Sequence, residues 1–449
     1  MQSQLGILFV AGSLCAPLAL AQSRNQPVTE HWVSTWATAQ QLVRPVPGTG
    51  RGGGPRQAPP QSPSPQQANT TNPQTPQAPP GRGRGGGPQS NIPATLDDQT
   101  IRMVVHASIG GHRVRVQISN AIGAPALTIG SAHIAVRAKE SEIVAGTDRV
   151  LAFSGKESCT IQPGVLLFSD PVDLDVAASS DLAVSLYFTK DTGPPVSHTV
   201  ALHTSYISKG DTTGQAVMPE PSPIYAYLWL SSVDVVAPPN TFAIVAYGDS
   251  ITDGFATTRD ADRAWPTLLG KRLMATKSAA PAVVLNMGIS GNQVLRDGAG
   301  QSALARLDRD VLTRTGVKWM ILLEGINDIN IRGRNPGPDA LTSDDLIGGY
   351  RQLIEQAHTH GIKVMGATIM PEEGVPTASE RGEQIRGVVN RWIRTSGAFD
   401  AVVDFDAVVR DPNRPAKLRG DFDPGDHIHP NDAGNQSMAD AFDLAIFKK

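Results

Sequence analysis

The sequence predicts an α/β domain with a parallel sheet in the C-terminal half of the chain, preceded by an antiparallel β-sandwich domain. From about residue 241, short apolar runs alternate with helical patterns, which is typical of parallel strands covered by helices. Before that point, apolar residues alternate with polar ones between clusters of Gly, Pro and Asp, which favours antiparallel strands. The length of 449 residues agrees with several domains, because a typical domain has roughly 100 to 200 residues.

Residues 1–21 have the pattern of a secretory signal peptide. The apolar run at residues 5–10 is followed by Ala19-Leu20-Ala21, a small-x-small pattern that suits cleavage before Gln22. No Lys or Arg precedes the apolar run. We expect the protein to be secreted or periplasmic. Cleavage would remove Cys15 and leave Cys159 alone, so no internal disulfide is expected and Cys159 is assigned a structural role.

Residues 22–44 are predicted to form an N-terminal strand segment that includes Trp32 and Trp36. Residues 45–95 are rich in Pro, Gly, Gln and Arg and have almost no large apolar residue, so they cannot bury a core and are predicted to be a disordered insertion. Their Arg-Gly clusters are short, and the net charge of the chain is -3. We expect no nucleic acid partner, because the chain carries no basic field.

Residues 96–235 are predicted to form the β-sandwich domain. Apolar residues alternate at residues 101–105 and 114–118, and the pair Gly110-Gly111 between them predicts that the two strands form a hairpin. The alternation returns at residues 182–188. We expect this domain to shape one wall of a site on the following domain, because it contains no catalytic motif and few aromatic residues for a stacking platform.

Residues 236–449 are predicted to form the α/β domain. Its strands are predicted at residues 242–247, 283–287, 319–323, 364–369 and 401–403. Between the third and fourth strands a helical spacing of apolar residues predicts a helix that is opened by Ser343, with Asp344 and Asp345, and closed by Gly361. No run reaches the roughly 18 apolar residues that a membrane helix needs, so no transmembrane segment is expected.

Three polar segments that contain glycine follow the first three predicted strands. They are Gly248-Asp249-Ser250, Asn286-Met287-Gly288-Ile289-Ser290-Gly291-Asn292 and Glu324-Gly325-Ile326-Asn327-Asp328. Ser250 supplies a hydroxyl at a strand end, and glycine allows the backbone to approach a ligand. The Asn327 amide suits an oxyanion or a helix cap. Each segment alone is also typical of an ordinary turn, but together they converge on one edge of a parallel sheet.

A fourth segment, Asp426-His427-Ile428-His429, lies just before the last predicted helix. It supplies a carboxylate three residues before an imidazole, and a general base needs such a carboxylate to orient it. We assign the base role to His429, because His427 points differently along the turn.

The same region is dense in possible metal ligands, namely Asp421, Asp423, Asp426, His427, His429 and Asp432. The pattern of a calcium loop does not fit, because Gly425 and Asp426 occupy the fifth and sixth places and Pro424 stiffens the middle. A zinc-protease helix pattern is also absent from the sequence. We therefore assign no metal ligands.

The four segments, in this order, resemble the four blocks of the SGNH (GDSL) hydrolases, and the resemblance covers about residues 236–449. It extends to bacterial members that carry an N-terminal β domain. Ile251 stands where the family name has Leu, which is a conservative exchange.

The resemblance implies a flavodoxin-like, three-layer domain and a serine esterase. It implies that Ser250, Asp426 and His429 are catalytic, and that the amides of Ser250 and Gly291 and the side chain of Asn327 bind the oxyanion. Gly288 is a rival for the glycine role. No metal and no organic cofactor is implied.

The resemblance leaves the substrate open. Short acyl or acetyl esters, including those of carbohydrates, are expected from the range of reactions that the fold supports. One alternative is an acyltransferase on sugars, which uses the same acyl-enzyme. Another is a carbohydrate-binding protein in which the esterase domain is secondary. The oligomeric state cannot be read from the sequence.

Overall fold

The structure, a computed structural model, describes residues 30–42, 91–276 and 281–448. The expected signal peptide and most of the predicted insertion lie outside these residues. The described residues from His31 onward belong to one compact unit.

The described residues before position 237 form antiparallel strands. They are β1 (Trp32–Ala37), β2 (Gln99–Ala107), β3 (Gly111–Ser119), β4 (Leu127–Ile129), β5 (Ser131–Lys139), β6 (Glu142–Ile143), β7 (Arg149–Val150), β8 (Cys159–Ile161), β9 (Leu166–Phe168), β10 (Val172–Val176), β11 (Ser180–Phe188), β12 (Ser197–His198), β13 (Ser205–Lys209), β14 (Ser222–Ile224), β15 (Tyr227–Leu228) and β16 (Leu230–Val236).

Two antiparallel sheets in this region share one hydrophobic core. The first has the order β1-β16-β3-β10 with β9 beside β3, and the second has the order β14-β13-β2-β11-β5-β6 with β7 beside β5. Val116 of the first sheet and Val184 of the second belong to the same buried cluster. The N-terminal segment joins the first sheet, because β1 pairs with β16.

The hairpin predicted for β2 and β3 was wrong. The two strands lie in different sheets, where β2 pairs with β11 and β13 and β3 pairs with β16, β10 and β9. Gly110 and Gly111 therefore carry the chain from one sheet to the other. A Cβ on Gly110 would overlap the carbonyl oxygen of Val176, and one on Gly111 would lie 2.7 Å from that of Val236. Alternation shows which side chains are buried, but it does not show which strand is the partner.

The second half of the described chain contains a five-stranded parallel sheet. Its strands are β17 (Phe242–Gly248), β18 (Ala282–Gly288), β19 (Val317–Leu323), β20 (Lys363–Ala367) and β21 (Ala401–Val403). They lie in the order β18-β17-β19-β20-β21. The five strands predicted from the sequence are confirmed to within two residues at each end. The order changes direction between β17 and β19, and open α/β sheets bind ligands at the carboxyl ends of strands around such a point.

Helices connect and cover these strands. They are α1 (Ser250–Asp253), α2 (Trp265–Ala275), α3 (Ala303–Leu307), α4 (Ile326–Asp328), α5 (Ser343–Thr359), α6 (Glu380–Thr395), α7 (Phe405–Val409) and α8 (Asp432–Asp440), with π-helical turns at Asp308–Leu312 and Ile329–Gly333 and a 3-10 turn at Leu444–Lys448. Six consecutive residues of β17 are buried, so both faces of the sheet are covered there. No helix of the described residues is long and apolar enough to cross a membrane.

Helix α5 is the helix that the apolar spacing predicted, but its cap is one residue earlier than expected. Thr342, not Ser343, is the N-cap, and its hydroxyl accepts a hydrogen bond from the amide of Asp345. The Asp345 carboxylate accepts one from the amide of Thr342 in return. This capping box satisfies two amides that the helix leaves unpaired.

Hydrogen bonds join the β region to the parallel-sheet region at several places. At one, the Arg314 guanidinium donates to Ser231 at 2.9 Å, and the Thr315 hydroxyl donates to Asp234 at 2.9 Å. At another, His198 lies 2.9 Å from Asp253, the last residue of α1. The second contact brings a β-region side chain to the loops that follow β17 and β18.

Candidate active site

Ser250 is the first residue of α1, directly after β17. Asp249 caps this short helix, because its carboxylate accepts a hydrogen bond from the amide of Ile251 at 3.0 Å. Gly254 ends the helix with a φ of 91°, a backbone conformation that favours glycine. The strand-to-helix turn thus places the Ser250 hydroxyl at the carboxyl edge of the sheet.

The segment before α8 brings two further side chains to this hydroxyl. Nε2 of His429 lies 2.8 Å from Oγ of Ser250, and Nδ1 of His429 lies 2.8 Å from Oδ2 of Asp426. The three predicted residues therefore form one hydrogen-bonded line. His427 is not part of it, because its Nδ1 lies 2.6 Å from Asp423.

The Asp426 carboxylate is held in its charged form. Partial burial raises the pKa of Asp426, but hydrogen bonds from the His429 ring and from the backbone amides of His429 and Ile428 outweigh burial and lower the pKa to about 2. Its Oδ1 accepts those amides at 3.0 and 3.1 Å. The ring of Phe255 packs against that of His429 with 4.5 Å between centroids. The imidazole is thus fixed on one face and at both nitrogens.

The loop after β18 carries Gly291, which has a φ of 82°. Its neighbour Ser290 donates to the Asp253 carboxylate from the amide at 2.9 Å and from the hydroxyl at 2.7 Å. The rival glycine, Gly288, has a different role: a Cβ there would lie 2.6 Å from the Cα of Asp253. Gly288 therefore allows α1 to approach the end of β18.

Asn327 lies on α4, after β19, and its side chain turns to the loop of Gly291. Its amide donates to the carbonyl oxygen of Asn292 at 2.9 Å. A primary amide has two N–H donors, so one is left for an oxyanion. Asp328 fastens the same two segments, because its carboxylate accepts the amides of Val294 and Leu295 at 2.8 and 3.2 Å.

Arg306 is a buried residue that the sequence analysis missed. Its guanidinium donates to the carbonyl oxygens of Gly248 at 3.0 Å and Met287 at 2.8 Å, which are the last residue of β17 and the last but one of β18. It also donates to Asn292 at 2.8 Å and to Glu324 at 3.2 Å. One side chain thus connects three loops that carry site residues. The available signal was an arginine at helical spacing between the apolar residues of α3.

Two buried carboxyls lie beneath the site. Burial raises the pKa of Asp249 and of Glu324, and the charge of Asp249 raises that of Glu324 further because like charges repel. Only Arg306 among the described cations donates to Glu324. Burial and like charge therefore both favour the protonated form of Glu324.

The dense acidic residues near the C-terminus are paired one by one. Asp421 pairs with Arg419, Asp423 with His427, Asp426 with His429, and Asp432 with Thr258.

Elsewhere in the described chain, the ligand atoms of His106, Asp181 and His203 lie within 4.8 Å of one another. Here too each imidazole has a carboxylate partner, at 2.9 Å in Asp181 and 3.0 Å in Asp262. The guanidinium of Arg137 lies 2.8 Å from Asp181 as well. The contacts of this group are those of ion pairs, and we assign no metal to it.

Cys159 has the character of a structural residue. It lies on β8, and burial raises its thiol pKa to about 11. Since the thiolate is the reactive form, this thiol is a poor nucleophile at neutral pH.

A serine, an imidazole and a carboxylate in line at the carboxyl edge of a parallel sheet have the arrangement of acyl-transfer catalysts. Residues 246–437 match the sequence model of the GDSL-like Lipase/Acylhydrolase family. The resemblance predicted this match. Together with it, the fold and the site define the protein as a carboxylic ester hydrolase.

Several solved structures are similar to the chain. A GDSL-like lipase from Bacteroides thetaiotaomicron VPI-5482 has 20% identity and a TM-score of 0.34, over 45% of this chain and 87% of that chain. The M. smegmatis aryl esterase has 20% identity and a TM-score of 0.35, over 44% and 95%. A carbohydrate acetylesterase from Sinorhizobium meliloti has 15% identity and a TM-score of 0.34, over 44% and 94%. No curated protein matches the chain.

Proposed function

We propose that the protein hydrolyses small carboxylic esters through an acyl-enzyme on Ser250. The observation that carries this proposal is the line of hydrogen bonds from Ser250 through His429 to Asp426, with 2.8 Å at each step. The family match supports the class of reaction, and the geometry supports the roles of the individual residues.

In the first step, Nε2 of His429 takes the proton of the Ser250 hydroxyl as Oγ attacks the ester carbonyl. For this, Nε2 must be unprotonated and Nδ1 must carry the hydrogen that it donates to Asp426. The ionised Asp426 holds that tautomer and stabilises the imidazolium that forms. The low pKa of Asp426 keeps this carboxylate charged throughout the neutral range.

The negative charge that develops on the carbonyl oxygen needs donors that are already in place. We assign this role to the amide of Ser250, the amide of Gly291 and the second N–H of Asn327. The Ser250 amide opens α1, so it has no acceptor within that helix. Preorganised donors of this kind stabilise the transition state more than the ground state.

Collapse of the tetrahedral intermediate releases the alcohol, which takes the proton from His429. A water then attacks the acyl-enzyme with His429 as base, and the acid leaves. The protein supplies every group in these steps, so the proposal includes no metal and no cofactor.

A cleft beside the site supports a small substrate. Its volume is about 310 Å³, and its lining includes Val200, Ala201, Leu202 and Phe255. Phe255 also packs against His429, so one residue of the lining contacts the proposed triad. This volume is at the lower end of the range of small-molecule sites, roughly 300 to 1,000 Å³. We therefore propose short acyl or acetyl esters, including those of sugars, with the β region as one wall of the cleft.

The test is hydrolysis of p-nitrophenyl esters from acetate to palmitate by the full-length protein, beside Ser250→Ala and with a chelator. We expect turnover of the short esters, no change with chelator and no turnover by the variant. Equal turnover by Ser250→Ala would overturn the proposal. Transfer of the acyl group to an added sugar in preference to water would instead establish an acyltransferase.

The N-terminal sequence supports a further proposal, that the protein is exported. The apolar run and Ala19-Leu20-Ala21 predict that the exported form begins at Gln22. Sequencing the amino terminus of the protein from its native host tests this, and a mature chain that retains Met1 would contradict it.

A further inference from the structure

His198 lies where three parts of the chain meet. It is on β12, which pairs with β15, and its ring stacks near that of Tyr227. Nδ1 lies 2.8 Å from the carbonyl oxygen of Ala39, in the N-terminal segment. Nε2 lies 2.9 Å from the carboxylate of Asp253, at the end of α1. The side chains of His198 and Asp253 are only 4% and 2% exposed.

The two partners of His198 determine its charge. A carbonyl oxygen can only accept a hydrogen bond, so Nδ1 must carry a hydrogen. The Asp253 carboxylate already accepts two hydrogen bonds from Ser290, which requires acceptor oxygens and favours its ionised form. An Nε2–H that donates to this carboxylate makes the ring an imidazolium. Burial lowers the pKa of His198, but the charge of Asp253 and the hydrogen bonds outweigh burial and raise the pKa.

The two oxygens of the Asp253 carboxylate contact different parts of the chain, one the β region and the other the loop after β18 that carries Gly291. Oδ1 faces His198, whereas Oδ2 accepts both the amide and the hydroxyl of Ser290. Ser290 directly precedes Gly291, so holding its amide fixes the backbone that leads to the Gly291 amide. Asp253 is also in the turn of helix that begins at Ser250, because its amide donates to the carbonyl oxygen of Asp249 at 2.9 Å.

We propose that His198 is a positioning residue for the oxyanion site. Its imidazolium holds the Asp253 carboxylate, and that carboxylate holds Ser290 and thereby the Gly291 amide. On this basis the β region contributes a positioning residue to the site and is more than a wall of the cleft. The proposal rests on the proposed function, because it assigns an effect on the oxyanion donor of that reaction.

The surroundings of His198 define what else could titrate with it. A cavity of about 50 Å³ adjoins the ring, and the other titratable groups on its lining are His106, His203, Tyr227 and Asp262. His203 and Asp262 form their own pair, at 3.0 Å between Nε2 and Oδ1. That pair joins the β region to the loop after α1, as the His198 pair does, but no hydrogen bond of the described residues links it to Ser290. It therefore provides a matched control.

The experiment compares His198→Gln with His203→Gln. Glutamine can donate to Asp253 or to Ala39, but it cannot reach both from one side-chain nitrogen. We expect kcat of His198→Gln to fall about 10- to 100-fold with little change in KM, because a displacement of about 1 Å in a catalytic group can cost about 100-fold. Reaction with a fluorophosphonate should slow in parallel, since its adduct also needs the oxyanion donors. His203→Gln should keep kcat within about 2-fold.

A pH profile of the wild type separates positioning from folding, and the profile of His198→Gln serves as its control. Because the folded state raises the pKa of His198, the imidazolium and its contribution are present at low pH. Both are lost as the pH rises through that pKa. We expect kcat of the wild type to fall on the alkaline side while circular dichroism stays unchanged. The His198→Gln profile should lack this alkaline fall.

Two results would overturn the proposal. One is an unchanged kcat in folded His198→Gln, and the other is an equal loss of kcat in both His→Gln variants. If His198→Gln does not fold, a wild-type kcat that stays flat on the alkaline side decides against it. Each of these results leaves the serine esterase intact, whereas turnover by Ser250→Ala contradicts the esterase proposal and not the contacts of His198.

Discussion

At the scale of single residues, hydrogen bonds and packing hold the side chains of the site in fixed positions. His429 is fixed by Asp426 at one nitrogen, by Ser250 at the other and by the ring of Phe255. One N–H of the Asn327 side chain donates to the carbonyl oxygen of Asn292, and the other is available to an oxyanion. Rigid support of this kind is what allows a donor to stabilise charge without first reorganising.

Replacing Asn327 by alanine should lower kcat about 100- to 1,000-fold, the usual cost of removing one side-chain donor to an oxyanion. KM should change little, because the donor acts mainly in the transition state. Steady-state kinetics with p-nitrophenyl acetate measure both. Normal turnover by Asn327→Ala would reduce this residue to a link between two loops.

At the scale of elements, the site depends on close contacts between a helix and a strand. Gly288 ends β18 and lies against the backbone of α1, which begins with Ser250. Helix α5 packs elsewhere on the sheet and depends on its cap. A Gly→Ala substitution should therefore have opposite effects on stability at the end of β18 and within α5.

Gly288→Ala should lower both stability and kcat, because a Cβ at this position would lie 2.6 Å from the Cα of Asp253 and push α1 away from β18. The matched control is Gly348→Ala on α5, where a Cβ meets nothing within 4 Å. That change should stabilise the protein by about 0.4 to 1 kcal/mol. Thermal unfolding and kcat are the measurements, and a Gly288→Ala protein with wild-type values would refute the close contact.

Thr342→Ala should destabilise the protein by about 1 kcal/mol, because it removes the side chain that caps α5. Ser343→Ala, one residue later, removes a hydroxyl that does not cap the helix and should cost less than about 0.5 kcal/mol. Urea unfolding of both variants measures the difference. Equal losses would mean that the cap does not stabilise α5.

At the scale of the whole molecule, the β region and the parallel sheet are one compact unit that is joined by buried polar contacts. Arg314 and His198 each reach across from one region to the other. Removing one partner of a buried charged pair is costly, because the other charge is left unpaired. Stability should therefore depend on pH through the His198–Asp253 contact.

The His198–Asp253 pair predicts the direction in which stability changes with pH. The folded state raises the pKa of His198, so its contribution to stability is complete below about pH 6.5, the ordinary value for histidine, and is lost as pH rises through the folded pKa. We expect His198→Gln to lower Tm more at pH 6 than at pH 9. Scanning calorimetry at both values checks this, and a larger loss at pH 9 would show that the folded pKa is not raised.

The sequence by itself predicted the parallel strands, helix α5 and the three residues that we propose as the triad. Strands such as β17 are apolar over most of their length because both faces of the sheet are covered. Such an apolar run can be recognised without knowing which strands lie beside it. Ser250, Asp426 and His429 lie in short segments whose residue types are required by the chemistry. The structure brings them together, although 179 positions separate Ser250 from His429.

Only the tertiary structure decided which strands pair and which side chains contact each other. The alternation in β2 and β3 showed buried faces but not that the strands lie in different sheets. Arg306 and His198 look ordinary in the chain, and their importance comes from carbonyl and carboxylate groups that distant segments place around them. The physical reason is that burial and hydrogen bonding depend on long-range contacts, whereas a sequence pattern reports only the local periodicity of side chains.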